Sequence, residues 1–69
     1  MNTKQTFGSI TIEMNENKNF MATGYYGFTA IIRKGMTKQQ VEQLMASQGL
    51  AGDMGYLGAL DYLQNWAAA

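Results

Sequence analysis

The chain contains no histidine and no cysteine, and its 69 residues include only five acids. Without these side chains there is no imidazole base, no thiolate nucleophile, no Ser-His-Asp triad and no ordinary zinc or haem site. A catalytic carboxylate pair would need two acids to meet in a concave pocket, which so small a chain can hardly form alone. We therefore expect a protein that is not an enzyme and that binds neither metal nor cofactor. The acids are Glu13, Glu16, Glu42, Asp53 and Asp61.

Charge excess and long apolar runs are also missing. Five Lys/Arg residues balance five Asp/Glu residues, so the formal net charge is zero. A duplex-DNA binder normally has a basic face and a DNA mimic an acidic excess, so this balance argues against a nucleic-acid partner. No apolar run approaches the roughly 18 residues that span a bilayer, and no secretory signal pattern is present. We expect a cytoplasmic protein without a membrane partner.

The small size of the chain predicts association with another protein. A domain of this length buries only about 60% of the surface of its unfolded chain and is marginally stable by itself. Small domains compensate with disulfides, metal ions or oligomerisation. Disulfides are excluded here because the chain has no cysteine. A net charge near zero also favours association. We expect homodimerisation or docking on a larger protein.

Two segments alternate with the period of a β-strand. The first comprises residues 6–14, in which Gly8, Ile10, Ile12 and Met14 alternate with Ser9, Thr11 and Glu13. The polar residues 15–19 indicate a hairpin turn. In residues 20–33 every even position is apolar or glycine, which predicts that the even face points to the core.

The shared parity of these segments predicts their pairing. Both strands must place even residues on the same side, so paired residue numbers must have an even sum. A three-residue loop over residues 16–18 satisfies this rule. It sets Ile12 opposite Ala22, and it sets Gly8 opposite Tyr26.

The second segment is long for one strand. We favour a single bent strand over residues 20–33, because tyrosines fit poorly at the positive φ values of a tight turn at residues 24–27. A turn there would instead give a three-stranded meander, which is the alternative.

A helix over residues 38–48 has both a start and a stop signal. Thr37 and Gln40 match a capping box, and Met36 with Val41 matches a hydrophobic staple. Gly49 follows as a left-handed terminator, after which Leu50 can fold back on the helix.

A second helix is predicted over residues 54–66, with Asp53 as its N-cap. Its apolar face comprises Tyr56, Ala59, Leu60, Leu63 and Ala67. The sequence thus predicts a single α+β domain over residues 1–69. An antiparallel hairpin or meander is followed by two helices packed on one face, in ββαα order.

Glycine recurs at Gly52, Gly55 and Gly58, around the start of the second helix. Glycine within a helix costs about 1 kcal/mol relative to alanine, so a close contact should offset it. The glycines either admit the backbone of a partner or let this helix pack tightly on its own sheet or first helix. We favour the second interpretation.

Four residues form the predicted partner-binding surface. Tyr25, Tyr62 and Trp66 are the aromatic residues that the core needs least, and exposed Tyr and Trp are favoured interface anchors. Gly58 lies beside the last two on the second helix. These features predict a small non-catalytic binding module or inhibitor that docks on a larger protein or on itself. Its size and simplicity suggest a phage, mobile-element or bacterial origin.

Two other functions remain open. Arg33, Lys34 and Lys38 lie together in sequence and could contact nucleic acid with Tyr25 as a stacking platform, although a solvated loop is the plainer interpretation. In the other alternative, an enzyme subunit completes a partner's site with Asp53 or Asp61.

Overall fold

A computed structural model describes residues 4–69 of the chain. The predicted domain of residues 1–69 therefore includes three residues that lie outside the described part. Residues 4–69 form one four-stranded antiparallel sheet, in the order β1-β2-β3-β4, followed by two helices. The predicted α+β class, with strands before helices, is confirmed. The elements are β1 (Gln5–Phe7), β2 (Ile10–Met14), β3 (Phe20–Thr23), β4 (Thr29–Ile32), α1 (Lys38–Ser47) and α2 (Tyr56–Ala68).

The prediction of one strand over residues 6–14 is wrong, because the chain reverses after Phe7. Phe7 pairs with Ile10 across a two-residue loop, and Gly8 there has the positive φ (59°) that tight hairpin turns require. This turn reverses the parity of β1, so that Phe7 faces the core side and Thr6 the outer side. The predicted pairing of Gly8 with Tyr26 is therefore wrong as well.

The prediction of one strand over residues 20–33 is also wrong. The N–H of Gly24 donates to the carbonyl of Phe28 at 2.8 Å, and the N–H of Gly27 donates to that of Gly24 at 3.0 Å. Gly27 alone takes the positive φ (87°) in this three-residue loop, so neither tyrosine is strained. The turn of the meander alternative is thus present, together with the extra β1–β2 turn.

The predicted β2–β3 hairpin is confirmed. Its loop spans residues 16–18, with the N–H of Asn15 donating to the carbonyl of Asn19 at 2.8 Å. Ile12 pairs with Ala22, as the parity rule requires. The buried positions within β2, β3 and β4 are all even, which confirms the core face of the sheet. They are Ile10, Ile12, Phe20, Ala22, Ala30 and Ile32. Met14, also at an even position, is half-buried and packs against this core.

Helix α1 has the predicted ends to within one residue. The Gln40 N–H donates to the Thr37 hydroxyl at 3.1 Å, and the Thr37 N–H donates to the Gln40 side-chain oxygen at 3.0 Å. After the helix, Gly49 takes φ 84°. The Leu50 N–H then donates to the Met45 carbonyl at 3.0 Å, which buries Leu50 in the core.

Helix α2 begins at Tyr56, two residues later than predicted, and ends at Ala68. Its N-cap is Gly55, which has φ 83° and no capping side chain, so the prediction that Asp53 caps the helix is wrong. The Asp53 carboxylate instead bonds to the β3–β4 turn. The predicted apolar face is buried at Ala59, Leu60, Leu63 and Ala67 and half-buried at Tyr56.

The two helices divide the core face between them. Helix α1 lies over β4, and α2 lies over β1 and β2. The opposite face of the sheet has no covering layer among residues 4–69. Neither helix in this range is long and apolar enough to cross a membrane.

Candidate interaction surface

Three connections meet at one end of the molecule. The β1–β2 turn is joined to the α1–α2 loop, because the Ser9 N–H donates to the Met54 carbonyl at 3.0 Å. The β3–β4 turn is joined to the same loop, because the Tyr25 N–H donates to Asp53 Oδ2 at 2.8 Å. Both turns therefore hold the α1–α2 loop in place.

Large apolar side chains project from this end. Tyr25 is 73% exposed and Tyr26 is 76% exposed, with their rings perpendicular and 5.0 Å apart. Met54 and Leu57 are each 77% exposed. We call Tyr25, Tyr26, Met54 and Leu57 the apolar end. The hydrogen bonds at Tyr25 and Met54 hold the two loops that bear Tyr25, Tyr26 and Met54, which makes this surface preorganised.

The apolar end is an exposed surface without a cavity. No cavity that could hold a small ligand is found in the described part of the chain. Nor do the described residues bring three potential metal-ligating side chains together. What these described residues present is a set of exposed apolar side chains.

Tyr62 and Trp66 lie apart from the apolar end, at the side of the core. The ring of Tyr62 lies 5.6 Å from that of Phe7, and the ring of Trp66 lies 4.7 Å edge-on from that of Phe20. The Lys34 ammonium lies 5.1 Å from the Trp66 ring centre, within cation–π range. Both aromatic residues are half-buried, so these packing contacts account for much of their surface. Their part in partner binding stays a prediction.

The glycine series packs mainly on the chain's own sheet. A Cβ at Gly55 would overlap the backbone of Phe7, and one at Gly58 would lie 3.2 Å from the Phe7 ring. Gly52 has no neighbour within 4 Å of such an atom. Close packing of α2 on β1 therefore explains Gly55 and Gly58. Gly58 remains exposed, and its contact with a partner stays a prediction.

The predicted basic group lies at the other end of the sheet from Tyr25. Arg33 and Lys34 follow the last residue of β4, whereas Tyr25 lies in the turn before its first residue. Strand β4 separates them by roughly 13 Å, at about 3.3 Å per residue. Lys38, the first residue of α1, lies at the same end as Arg33 and Lys34, which we call the basic end. The structure thus brings Arg33, Lys34 and Lys38 to one end without Tyr25.

The surface predicted from the sequence did not include Tyr26, Met54 or Leu57. Tyr26 is at an even position, which in these strands faces the core, but it lies in the β3–β4 turn and not in a strand. Met54 was expected as a helix residue, yet it precedes the first turn of α2. Leu57 gave a usable signal, because it is a large apolar residue outside the predicted apolar face of α2.

The comparisons with known proteins give no family and no structural relative. No family model, no curated protein and no solved structure matches this chain at a significant level.

Proposed function

We propose that this chain is a small non-catalytic binding module that docks on a larger protein through its apolar end. The observation that carries the proposal is the exposure of Tyr25, Tyr26 and Met54 on loops that are tied to one another, together with exposed Leu57 in the first turn of α2. Such side chains would lose their contact with water on docking. Because the loops are already fixed, little conformational entropy would be lost in the process.

The size of the apolar end suits an interface core. Aromatic side chains each bury about 150–250 Å² when covered, so the two tyrosines alone offer roughly 250 Å². With Met54 and Leu57 the surface reaches the several hundred Å² at which an exposed patch commonly marks a binding site. Tyrosine is also enriched among the residues that dominate binding energy.

The projecting tyrosines of the apolar end suit a groove on a larger partner. Their rings are exposed and perpendicular to each other, and a module whose side chains fill a groove can block it as an inhibitor does. Small inhibitors of this kind are typical of phage and mobile elements, and such an origin is part of the proposal. The lack of cysteine agrees with action in the reducing cytoplasm.

Nucleic-acid binding has less support. Arg33, Lys34 and Lys38 gather at one end, but Tyr25 lies beyond β4 and Lys34 already covers Trp66. The basic group therefore lacks the free aromatic surface on which bases stack. A gel shift that weakens steeply with salt would favour this alternative, because phosphate contacts depend on counterion release.

Site-specific photo-crosslinking tests the docking proposal. A benzophenone amino acid is placed at position 26, at position 57 or, as the matched control, at position 18 in the turn at the opposite end. We expect positions 26 and 57 to yield the same single adduct in the native cell, and position 18 to yield none. Capture of that partner by the double variant Tyr25→Ser/Tyr26→Ser should fall at least tenfold, since central tyrosines commonly contribute about 2 kcal/mol or more.

Circular dichroism must first show that the double variant is folded. If the folded variant captures the partner as well as the unaltered protein does, docking through the apolar end is wrong. Adducts formed only from position 18 would move the surface to the basic end.

A further inference from the structure

The outer edge of β4 carries unpaired backbone groups. β4 is the last strand of the sheet, and its other side pairs with β3. The Gly24 N–H donates to the Phe28 carbonyl, so residue 28 directs its backbone groups toward β3. In an antiparallel ladder this direction alternates along the strand. The backbone N–H and C=O groups of Ala30 and Ile32 therefore also point toward β3, whereas those of Thr29 and Ile31 point away from β3, to the free edge.

The free edge ends at Arg33. The Arg33 N–H lies 3.2 Å from Met36 Sδ, and its carbonyl accepts the Met36 N–H at 3.3 Å. Within residues 4–69 no hydrogen bond reaches the N–H or the carbonyl of Thr29 or Ile31. The edge thus offers two donors and two acceptors, all from two residues.

Strand β4 is short, but it lacks three other features that commonly protect an edge. Its four residues, Thr29–Ile32, include no charged side chain. The chain contains no proline, and the pairing of β4 with β3 proceeds without a bulge. Proteins use short strands, charge, proline and bulges to prevent edge pairing.

We propose that β4 pairs antiparallel with β4 of a second copy of this chain, about a two-fold axis through Ala30. Thr29 then lies opposite Ile31 of the second copy, and Ile31 lies opposite its Thr29. Each of these outward-facing pairs exchanges two hydrogen bonds. All the free edge groups of both chains are used, and the two sheets become one sheet of eight strands.

This register is the one that leaves no edge group unpaired. A shift by two residues sets Ile31 opposite its own copy and Thr29 opposite Arg33, whose backbone groups are already used in the turn. The opposite shift sets Ile31 against Gly27, whose N–H already donates to Gly24. A shift by one residue would set Thr29 opposite Ile32 and Ile31 opposite Ala30, whose backbone groups point toward β3 of their own copy. A second copy in this register therefore satisfies every free donor and acceptor of the edge.

The same register covers the exposed apolar side chains beside the edge. Phe28 is 54% exposed on the core side, where its ring lies 3.2 Å from the Cβ position of Gly49. In the pair it lies opposite Ile32 of the second copy, and aromatic and β-branched residues pair favourably across strands. Ile31, 38% exposed on the outer face, gains Thr29 as its neighbour. Arg33 lies opposite Gly27, so no like charges meet.

The helical layer leaves room for this contact. Four strands about 4.8 Å apart span roughly 19 Å, and two packed helices about 8–10 Å apart occupy a similar width. Since α1 lies over β4 and α2 over β1 and β2, the helices of the second copy continue the layer. The proposal goes beyond docking on a larger protein, because it uses another surface and leaves the apolar end free in both copies.

Light scattering across a dilution series, combined with amide hydrogen exchange, tests the pairing. We expect a mass of twice 7.6 kDa at high concentration. The Thr29 and Ile31 amides should be protected in that dimer and should lose their protection on dilution. The variant Ile31→Pro should be monomeric, because it removes an outward N–H and leaves the β3 ladder intact. Ile31→Val keeps this N–H and should remain a dimer.

Two results would overturn the proposal: a mass of 7.6 kDa at every concentration, or a dimer in which the Thr29 and Ile31 amides exchange freely. The exchange measurement uses the unaltered chain, so it decides the question even if Ile31→Pro fails to fold. Tyr25→Ser/Tyr26→Ser should stay dimeric, and Ile31→Pro should retain the crosslink from position 26. Failure of the pairing is therefore distinguishable from failure of the docking proposal.

Discussion

The Asp53 carboxylate accepts a hydrogen bond from the Tyr25 backbone N–H at 2.8 Å, joining residues that are 28 positions apart in the sequence. Tyr25 is the first residue of the β3–β4 loop, and its N–H has no role in the strand ladder. Asp53 lies in the loop that leads into α2. One hydrogen bond thus connects the loop bearing both tyrosines to the loop bearing Met54, and it sets the geometry of the apolar end.

Removing this carboxylate should loosen the apolar end. We expect Asp53→Ala to lower the free energy of unfolding by about 1–2 kcal/mol, the range for a hydrogen bond to a charged group with some solvent exposure. Amide exchange at Tyr25 should accelerate. Asp61→Ala is the matched control, because Asp61 is exposed on α2 and alanine favours a helix. Equal denaturant midpoints for Asp53→Ala and the unaltered protein would show that the bond adds no stability.

Gly24 has a steric role that its position in a turn does not suggest. A Cβ there would overlap Asp53 Oδ2 and the buried Leu50 Cδ2. We expect Gly24→Ala to destabilise the fold by about 1–3 kcal/mol, as overpacking does. Gly52→Ala is the control, since Gly52 has open space and no positive φ. That variant should be neutral or stabilised by about 0.4–1 kcal/mol. Thermal or urea unfolding of both variants checks the contrast, which would fail if the two shifted alike.

Local signals were enough to predict α1 and the core face. The capping box of Thr37 and Gln40, the apolar positions of the helix and Gly49 lie within or next to α1. The start and end of this helix therefore follow from neighbouring residues and do not depend on distant contacts. The even positions of the two predicted strand segments were also sufficient, because burial on one face fixes the parity of a strand. The loop over residues 16–18 followed from that parity.

The remaining features depend on contacts between distant residues. The turn at Gly8 lies where the apolar positions change from odd (Phe7) to even (Ile10), and Gly8 packs there against the backbone of Met54. The start of α2 was predicted two residues too early, because local sequence alone indicates Asp53 as the N-cap. In the fold the Asp53 carboxylate instead accepts a hydrogen bond from the Tyr25 N–H. Tyr26 was assigned to the core for a related reason. Even-numbered residues share one face only within a continuous strand, and the β3–β4 loop interrupts the strand at Tyr26.

The capping box should stabilise α1 measurably. We expect Thr37→Ala to reduce the free energy of unfolding by about 1 kcal/mol, because the Gln40 N–H loses its acceptor at the helix start. Thr37→Ser keeps the hydroxyl and should behave almost as the unaltered protein does. Urea denaturation followed by circular dichroism measures both. Similar losses in the two variants would indicate that the threonine methyl group, and not the cap, supplies the stability.

The stability of the fold should also depend on Tyr56 at alkaline pH. Burial raises the pKa of the Tyr56 hydroxyl above its ordinary 10.0, and the Glu42 carboxylate raises it further. The unfolded chain therefore releases this proton at a lower pH than the folded chain. The stabilisation is fully present below the unfolded pKa and is lost as pH rises from there through the folded pKa.

Tyr56→Phe cannot ionise, so its free energy of unfolding should fall less steeply than that of the unaltered protein from about pH 9 to 11. Glu42→Gln removes the smaller cause and should give an intermediate slope. The other tyrosines and the lysines are common to all three proteins, so they cancel when the slopes are compared. Urea titrations at each pH provide the measurement. Parallel slopes for the unaltered protein and Tyr56→Phe would mean that Tyr56 ionises equally in the folded and unfolded states. A steeper slope for Tyr56→Phe would reverse the assigned direction of the shift.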